Sequence, residues 1–211
     1  MTKKTIERKG ILLVISGPSG TGKSTLINKL ISEYPNFGYS ISHTTREARK
    51  GEVNGREYNF CSRETFEKLI EQDFFAEWAR VHGNYYGTPR KPVLSAVDKG
   101  QDLIFDIDVQ GAKQLRNSLN FGCFIFLFPP SLKKLHSRLL KRGTDQAQKI
   151  KSRLENAVSE IRQSESFDYW LVNDDLEKSY NHLKCIVQTE KSRPAYNPGL
   201  LQKFIDEVRN D

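Results

Sequence analysis

Gly17-Pro18-Ser19-Gly20-Thr21-Gly22-Lys23-Ser24-Thr25 carries phosphate-binding residue types at the spacing G-x-x-x-x-G-K-[ST]. Glycines at such positions let consecutive backbone N–H groups curl around an anion with no Cβ in the way. Lys23 adds a cation able to reach β- and γ-phosphates, and the Ser24 hydroxyl is a hard oxygen donor suited to Mg²⁺. The helix that opens there would point its positive end at the same anion. An ordinary Gly-rich turn is the plainer alternative, but strand, loop, Lys-Ser-Thr and amphipathic run follow one another in the order a phosphate loop needs. A second candidate is Asp106, which closes an apolar run and is expected to hold Mg²⁺ or its waters; the competing assignment is a helix cap. A third is the set Arg138, Arg142 and Arg153, on two charged stretches joined by Gly143. A phosphoryl-transfer site has to exclude water, and arginines on a closing hairpin would supply both cover and charge. A merely solvated hairpin would look similar.

The elements that must position these residues are legible in outline. Ile11-Leu-Leu-Val-Ile-Ser16 reads as a strand buried on both faces, ending at Gly17. A helix should follow to about Tyr34-Pro35-Asn36. From Phe37 to about Gly100 the chain is dense in Gly, Arg, Thr and Tyr, with Asn54-Gly55 as a turn signal; this predicts short, half-buried strands in an inserted lobe. Within it a helix is expected over Glu64–Glu71, a strand over Phe74–Val81 and a loop over Gly83–Pro89. Core elements resume with a strand over Asp102–Asp108, a helix over Val109–Ser118 and the very apolar strand Cys123–Phe128, ended by Pro129-Pro130. A basic helix past Ser131 and a polar helix over about Ala147–Glu165 form the candidate lid, followed by a strand over Tyr169–Val172. The last two helices, through Val187 and over Pro198–Val208, are read as packing elements. Alternating strands and helices define an α/β fold with a parallel sheet flanked by helices, in which ligands bind at the carboxyl ends of strands. Gly17 and Asp106 both lie at such ends.

A chain of 211 residues suits one compact α/β domain with small appended lobes rather than two large domains. The 33 Lys and Arg against 26 Asp and Glu leave a formal charge of +7, which favours anionic ligands. Three cysteines, Cys61, Cys123 and Cys185, are widely spaced, odd in number and without metal-ligand spacing, which points to a reducing compartment. The apolar stretch after the basic start is too short for a signal peptide, and no run reaches transmembrane length. The expectation is a soluble, cytoplasmic protein with no membrane partner.

Three further stretches narrow the reading: Ser42-x-Thr44-Thr45-Arg46-x-x-Arg49-x-Gly51-Glu52-x-x-Gly55-x-x-Tyr58, then Gly83-Asn-Tyr85-Tyr86-Gly87-Thr88, then Asp106-Ile-Asp108-x-Gln110-Gly111. Together with the phosphate loop they make the chain resemble the guanylate kinases from Gly10 to the helix around Val187, in order and without a large insertion. The resemblance implies a P-loop NTPase fold: a core of about 10–36, 101–130 and 167–211, an inserted GMP-binding lobe of about 37–100, and a helical lid of about 138–160. It also implies the substrates, ATP and GMP, and Mg²⁺ as cofactor.

By that resemblance Arg46, Arg49, Tyr58 and Tyr86 bind the GMP phosphate, a sensible set because guanidinium forks and phenol hydroxyls donate to phosphate. On pattern alone the two arginines would equally be exposed loop charges. Glu77 is implied as the reader of the guanine edge, with Ser42, Thr88 and Asp108 beside it; pattern alone would make it a surface strand residue. A carboxylate accepts from guanine N1–H and the 2-amino group, while adenine would set a lone pair against it, a mismatch worth on the order of 10⁴ in discrimination. Thr88 stands where some members have Ser, which keeps the hydroxyl. Lys23, Arg46, Arg49, Arg142 and Arg153 are the expected catalytic cations; Arg138 and Asn173 join Gly17–Thr25 at ATP, with Asn173 implied at the adenine, and Ser24 and Asp106 at the metal.

The reaction implied is transfer of the γ-phosphoryl group of ATP to GMP. Two readings from other classes compete: a catalytically inactive scaffold of the same fold binding phosphopeptides, against which stand the intact loop and lid arginines, and a basic nucleic-acid-binding protein, for which neither zinc ligands nor an aromatic RNA-binding signature is present. Nucleic acid is therefore not an expected partner. Oligomeric state, homo-oligomer or monomer, is not set by the sequence.

Overall fold

The computed structural model describes residues 8–81, 83–141 and 147–209. In chain order it contains β1 (Leu12–Ser16), α1 (Lys23–Glu33), β2 (Phe37–Tyr39), β3 (His43–Thr44), β4 (Asn59–Phe60), α2 (Arg63–Glu71), β5 (Phe75–Val81), β6 (Asn84–Pro89) and α3 (Arg90–Asp98). There follow β7 (Asp102–Asp106), α4 (Val109–Leu119), β8 (Cys123–Phe128), α5 (Leu132–Lys141), α6 (Ala147–Arg162), β9 (Tyr169–Val172), α7 (Leu176–Lys191) and α8 (Pro198–Arg209).

Five strands form a parallel sheet in the order β2-β7-β1-β8-β9. Its central strand is the fully buried β1, and alternation along that strand sorts the core into two layers. Ile11, Leu13 and Ile15 pack against Leu26, Ile27 and Leu30 of α1 and Leu183 and Val187 of α7. Leu12 and Val14 face the other way, onto Val93 and Val97 of α3 and Ala112 and Leu115 of α4. Burying each such side chain contributes about 1.5–3 kcal/mol, so a strand covered on both faces anchors the domain. A smaller sheet, β4-β3-β6-β5, with α2 against it, makes the inserted lobe. Phe66 of α2 holds it by stacking between Phe75 and Tyr85, with ring centroids 4.5 and 5.1 Å away.

Several local expectations change. Gly83–Pro89, expected as a loop, is largely the strand β6, which pairs antiparallel with both β3 and β5; its Tyr and Thr residues suit a pleated surface, and its glycines do not interrupt it. Phe37–Tyr39, placed in the lobe by composition, pair in parallel with β7, so the large sheet continues through Tyr39. Helix α3 was not foreseen; its Pro92 is tolerated because a proline in a first turn removes only an N–H that has no intrahelical partner. The strand expected over Asp102–Asp108 stops at Asp106, because Asp108 caps α4 by accepting a hydrogen bond from Gly111 N at 2.8 Å. The long polar helix ends at Arg162 rather than Glu165, where a short 3₁₀ turn, Ser164–Ser166, takes over.

Helix α7 packs as expected, but α8 does not: Leu201, Phe204 and Val208 are 70, 57 and 78% exposed. The α5–α6 pair has its own small core of Leu135, Leu139, Ile150 and Ala157. Among the described residues no helix is long and apolar enough to cross a membrane.

Candidate active site

The phosphate loop leaves the carboxyl end of β1 and enters α1 through Gly22, whose φ of 99° lies in the left-handed region. A β-carbon on Gly22 would stand 2.4 Å from Asn173 Nδ2, so glycine is required there twice over. No side chain caps the start of α1 and its first turn holds no acid. Its leading N–H groups and helix dipole are therefore free for an anion. Lys23 folds back along the loop: its Nζ donates to Gly17 O at 2.6 Å and lies 3.8 Å from Asp106 Oδ1.

Asp106 reaches this point because β7 runs beside β1 in a register that pairs it with Ile15. Burial raises its pKa above the ordinary carboxyl value, opposed by Lys23 and by a hydrogen bond from the Ser24 hydroxyl. Ser24 and Asp106 thus form a joined pair of hard oxygen donors beside the loop, a set that fits Mg²⁺. Asp106 is not a helix cap; that part falls to Asp108, two residues on.

A cavity of about 310 Å³ opens between the loop and the lobe, bordered by Lys23, Ser24, Val81, Asp106, Asp108 and Glu160. A larger one, about 770 Å³, lies elsewhere, beside Arg116, Asn120 and Tyr196, and contains none of the phosphate-loop residues. Arg116 and Arg193 there are already engaged by Asp168 and Glu190. Of these two, the smaller cavity is the one lined by phosphate-loop residues.

On the lobe side, the β3–β4 connection brings Arg46 over the Tyr58 ring, 5.4 Å from its centroid, and the Tyr58 and Tyr86 rings lie 5.9 Å apart. Glu52 organises this loop: one oxygen accepts from Arg46 Nη2 at 3.0 Å and the other from Arg49 N at 2.8 Å. The Arg49 amide, and after it Arg46, hold the Glu52 carboxyl below the usual range. Arg49 itself is exposed. Burial, then Tyr86, raises the pKa of the Tyr58 phenol, and Asp106 is close enough to add to the effect. Sequence reasoning quoted Glu52 in the motif that carries the resemblance but gave it no role; its place three residues after Arg49 was the signal.

Glu77 on β5 is 5% exposed, and its Oε1 accepts from the Thr88 hydroxyl on β6 at 2.6 Å. Thr88 Oγ1 is also 3.2 Å from Ser42 Oγ. Since the single Thr88 hydroxyl proton goes to Glu77, Ser42 is the donor in the contact between the two hydroxyls. Burial pushes the Glu77 pKa up to about 7; Thr88 opposes this and the Asp108 charge adds to it.

The arginines expected in the lid divide. Arg138 of α5 donates to Thr21 O at 3.3 Å and Asn173 O at 3.0 Å, and Asn173, itself buried, donates its amide to Thr21 O at 2.6 Å. Both grip the back of the phosphate loop, and the Asn173 amide is directed at the loop backbone. Arg153 lies on α6, and Arg142 lies outside the described residues. Two helical turns beyond Arg153 comes Glu160, which sequence reasoning passed over; it borders the cavity, and burial raises its pKa against the opposing charge of Lys23.

A parallel sheet with an uncapped helix N-terminus, a lysine and a carboxylate at the carboxyl end of its central strands is the P-loop NTPase arrangement. Comparison with known proteins carries the assignment one step further. The family model described as "Guanylate kinase" matches residues 9–190, and the chain belongs to that family. It is 50% identical over 204 residues to the guanylate kinase of Nitratidesulfovibrio vulgaris, covering 95% of this chain and 99% of that one. With the guanylate kinase of Oleidesulfovibrio alaskensis it shares 48% over 202 residues, 96% and 98% of the two chains. The crystal structure of guanylate kinase from Anaplasma phagocytophilum superimposes with a TM-score of 0.75 at 35% identity, covering 93% of this chain and 94% of that one.

Proposed function

We propose that this chain transfers the γ-phosphoryl group of ATP to GMP, giving ADP and GDP, through the residues brought together above. The loop Gly17–Thr25 and the start of α1 take the ATP phosphates, with Lys23 as the point charge among them. Arg46, Arg49, Tyr58 and Tyr86 take the GMP phosphate. Glu77 accepts from guanine N1–H and the 2-amino group, the Ser42 hydroxyl turns from Thr88 to donate toward O6, and Thr88 and Asp108 hold Glu77 and the turn beside it. Arg153 and Arg142 supply positive charge to the transferring group, and Arg138 and Asn173 keep the loop in shape.

The supporting observation is that Asp106 and Asp108 join the two halves. The cavity beside Lys23 extends to Asp108, whose charge is in turn felt at Glu77. No general base is required, because a nucleotide phosphate, with a second pKa of about 6, is already largely dianionic at neutral pH. What the reaction requires is cancellation of repulsion between two anions. Mg²⁺, held by Ser24 and Asp106, would add to that cancellation when bound with ATP.

The intact loop and Lys23 favour catalysis over the phosphopeptide scaffold. Three free cysteines accord with a reducing, cytoplasmic setting, and GDP formation with purine nucleotide metabolism. Lys23→Ala should lower turnover by at least about 10²-fold, as loss of a transition-state cation does, with the thermal midpoint unchanged. Normal turnover in that variant would overturn the assignment of Lys23.

A further inference from the structure

Gly111 is the third residue of α4, and its N–H is committed to Asp108 Oδ1. A β-carbon on it would lie 2.8 Å from Glu77 Oε2 and 3.3 Å from Asp108 Oδ1. The other Glu77 oxygen is fixed by Thr88 at 2.6 Å, so the carboxylate has little freedom to swing away. Nor is the helix free to recede from the strand, because Trp78 N, the residue after Glu77, donates to Gln114 Oε1 on α4 at 3.1 Å. Gln114 stands three residues beyond Gly111, on the same side of the helix. Strand and helix are thus bolted together next to a gap that only a missing side chain leaves.

We propose that Gly111 is a specificity-determining positioning residue: by presenting bare backbone to Glu77, it keeps the Oε2 atom where guanine N1–H and the 2-amino group can reach it. This rests on the reading of Glu77 as the guanine acceptor. A methyl group at position 111 sits where Oε2 now has room, and the buried carboxylate turns out of its productive position. A purely structural glycine predicts the opposite behaviour. Alanine is the better helix former, so a substitution without consequence for Glu77 would leave substrate use intact and the protein as stable or more so.

The test is Gly111→Ala in the full chain, with wild type alongside, measuring KM and kcat for GMP, KM for ATP, the thermal midpoint, and use of IMP, which keeps N1–H and lacks the 2-amino group. The KM for GMP should rise about tenfold or more, the effect of one lost hydrogen bond to a buried charge. KM for ATP and kcat at saturating GMP should stay within about twofold, and the preference for GMP over IMP should shrink. The same substitution in a Glu77→Asp background, where the carboxylate is withdrawn by one methylene, should change KM for GMP by less than about twofold.

An unchanged KM for GMP in Gly111→Ala, or an equal rise for ATP, overturns the inference. A wild type that does not use GMP overturns instead the reading on which it rests. Should Gly111→Ala fail to fold, recovery of folding in the Glu77→Asp background supports the contact, and no recovery overturns it.

Discussion

With 5% of its surface exposed, Glu77 faces the Thr88 hydroxyl and the Asp108 carboxylate, and carries its proton up to about pH 7. Unfolded, a glutamate ionises near 4.5, so folding takes up a proton between those values. The sign follows. The raised pKa contributes stability that is fully present below about 4.5 and is lost as pH rises through about 7. Glu77→Gln removes the titration, so the variant should be more stable than wild type at pH 8 by on the order of 3 kcal/mol, and the gap should close toward pH 4. Denaturant melts at a series of pH values measure this directly; a gap that does not change with pH would show that burial of the charge is not what sets Glu77 apart. The same proton bears on function, since only the ionised carboxylate accepts from guanine. KM for GMP should fall from pH 6 to pH 8 in wild type by more than ionisation of the GMP phosphate alone produces, with Glu77→Gln as the reference for that second titration.

Three elements meet at Thr21. The phosphate loop turns there, α5 sends Arg138, and the segment after β9 sends Asn173. Asn173 Nδ2 makes the shorter of the two hydrogen bonds to the Thr21 carbonyl, the other coming from Arg138, so its removal costs about 0.5–1.5 kcal/mol. Its effect on ATP should therefore act through the phosphates and not the base. Asn173→Ala should weaken competition by inorganic tripolyphosphate as much as it weakens ATP binding, by about tenfold, with GMP little affected. Weakening confined to ATP would return Asn173 to the adenine contact that family resemblance implies. This clamp was not legible in the sequence, because its partners lie 35 and 152 residues apart and no periodicity announces them. Elements with a strong local pattern were legible: β1, α1 and β8 fall where burial and amphipathicity place them. Strand β6, with Gly87 inside it, was read as loop because tertiary pairing overrides propensity, and α3, with Pro92 in its first turn, was passed over.

As a whole the molecule sets a phosphate loop on one sheet against the buried carboxylate of Glu77, the proposed base reader, on another, with Asp106 and Asp108 at the junction. The order of the motifs in the chain made that plan legible before any coordinates. The parts of Glu52 behind Arg46 and Gly111 behind Glu77 were not, although both stand in the quoted motifs, nor was Glu160 beside Lys23, because each acts on another residue distant in the fold or loop. Helix α8 was read as a packing element, yet its Leu201, Phe204 and Val208 are exposed. The plan as a whole makes one demand: an acceptor with guanine's donor edge and a phosphate. ADP release from Mg·ATP, followed in parallel with GMP, AMP, CMP and UMP as acceptors, tests it most directly. The predicted result is release with GMP at a kcat/KM on the order of 10⁴ above that with AMP, CMP or UMP. Comparable release with AMP, or none with GMP from demonstrably folded protein, would contradict it.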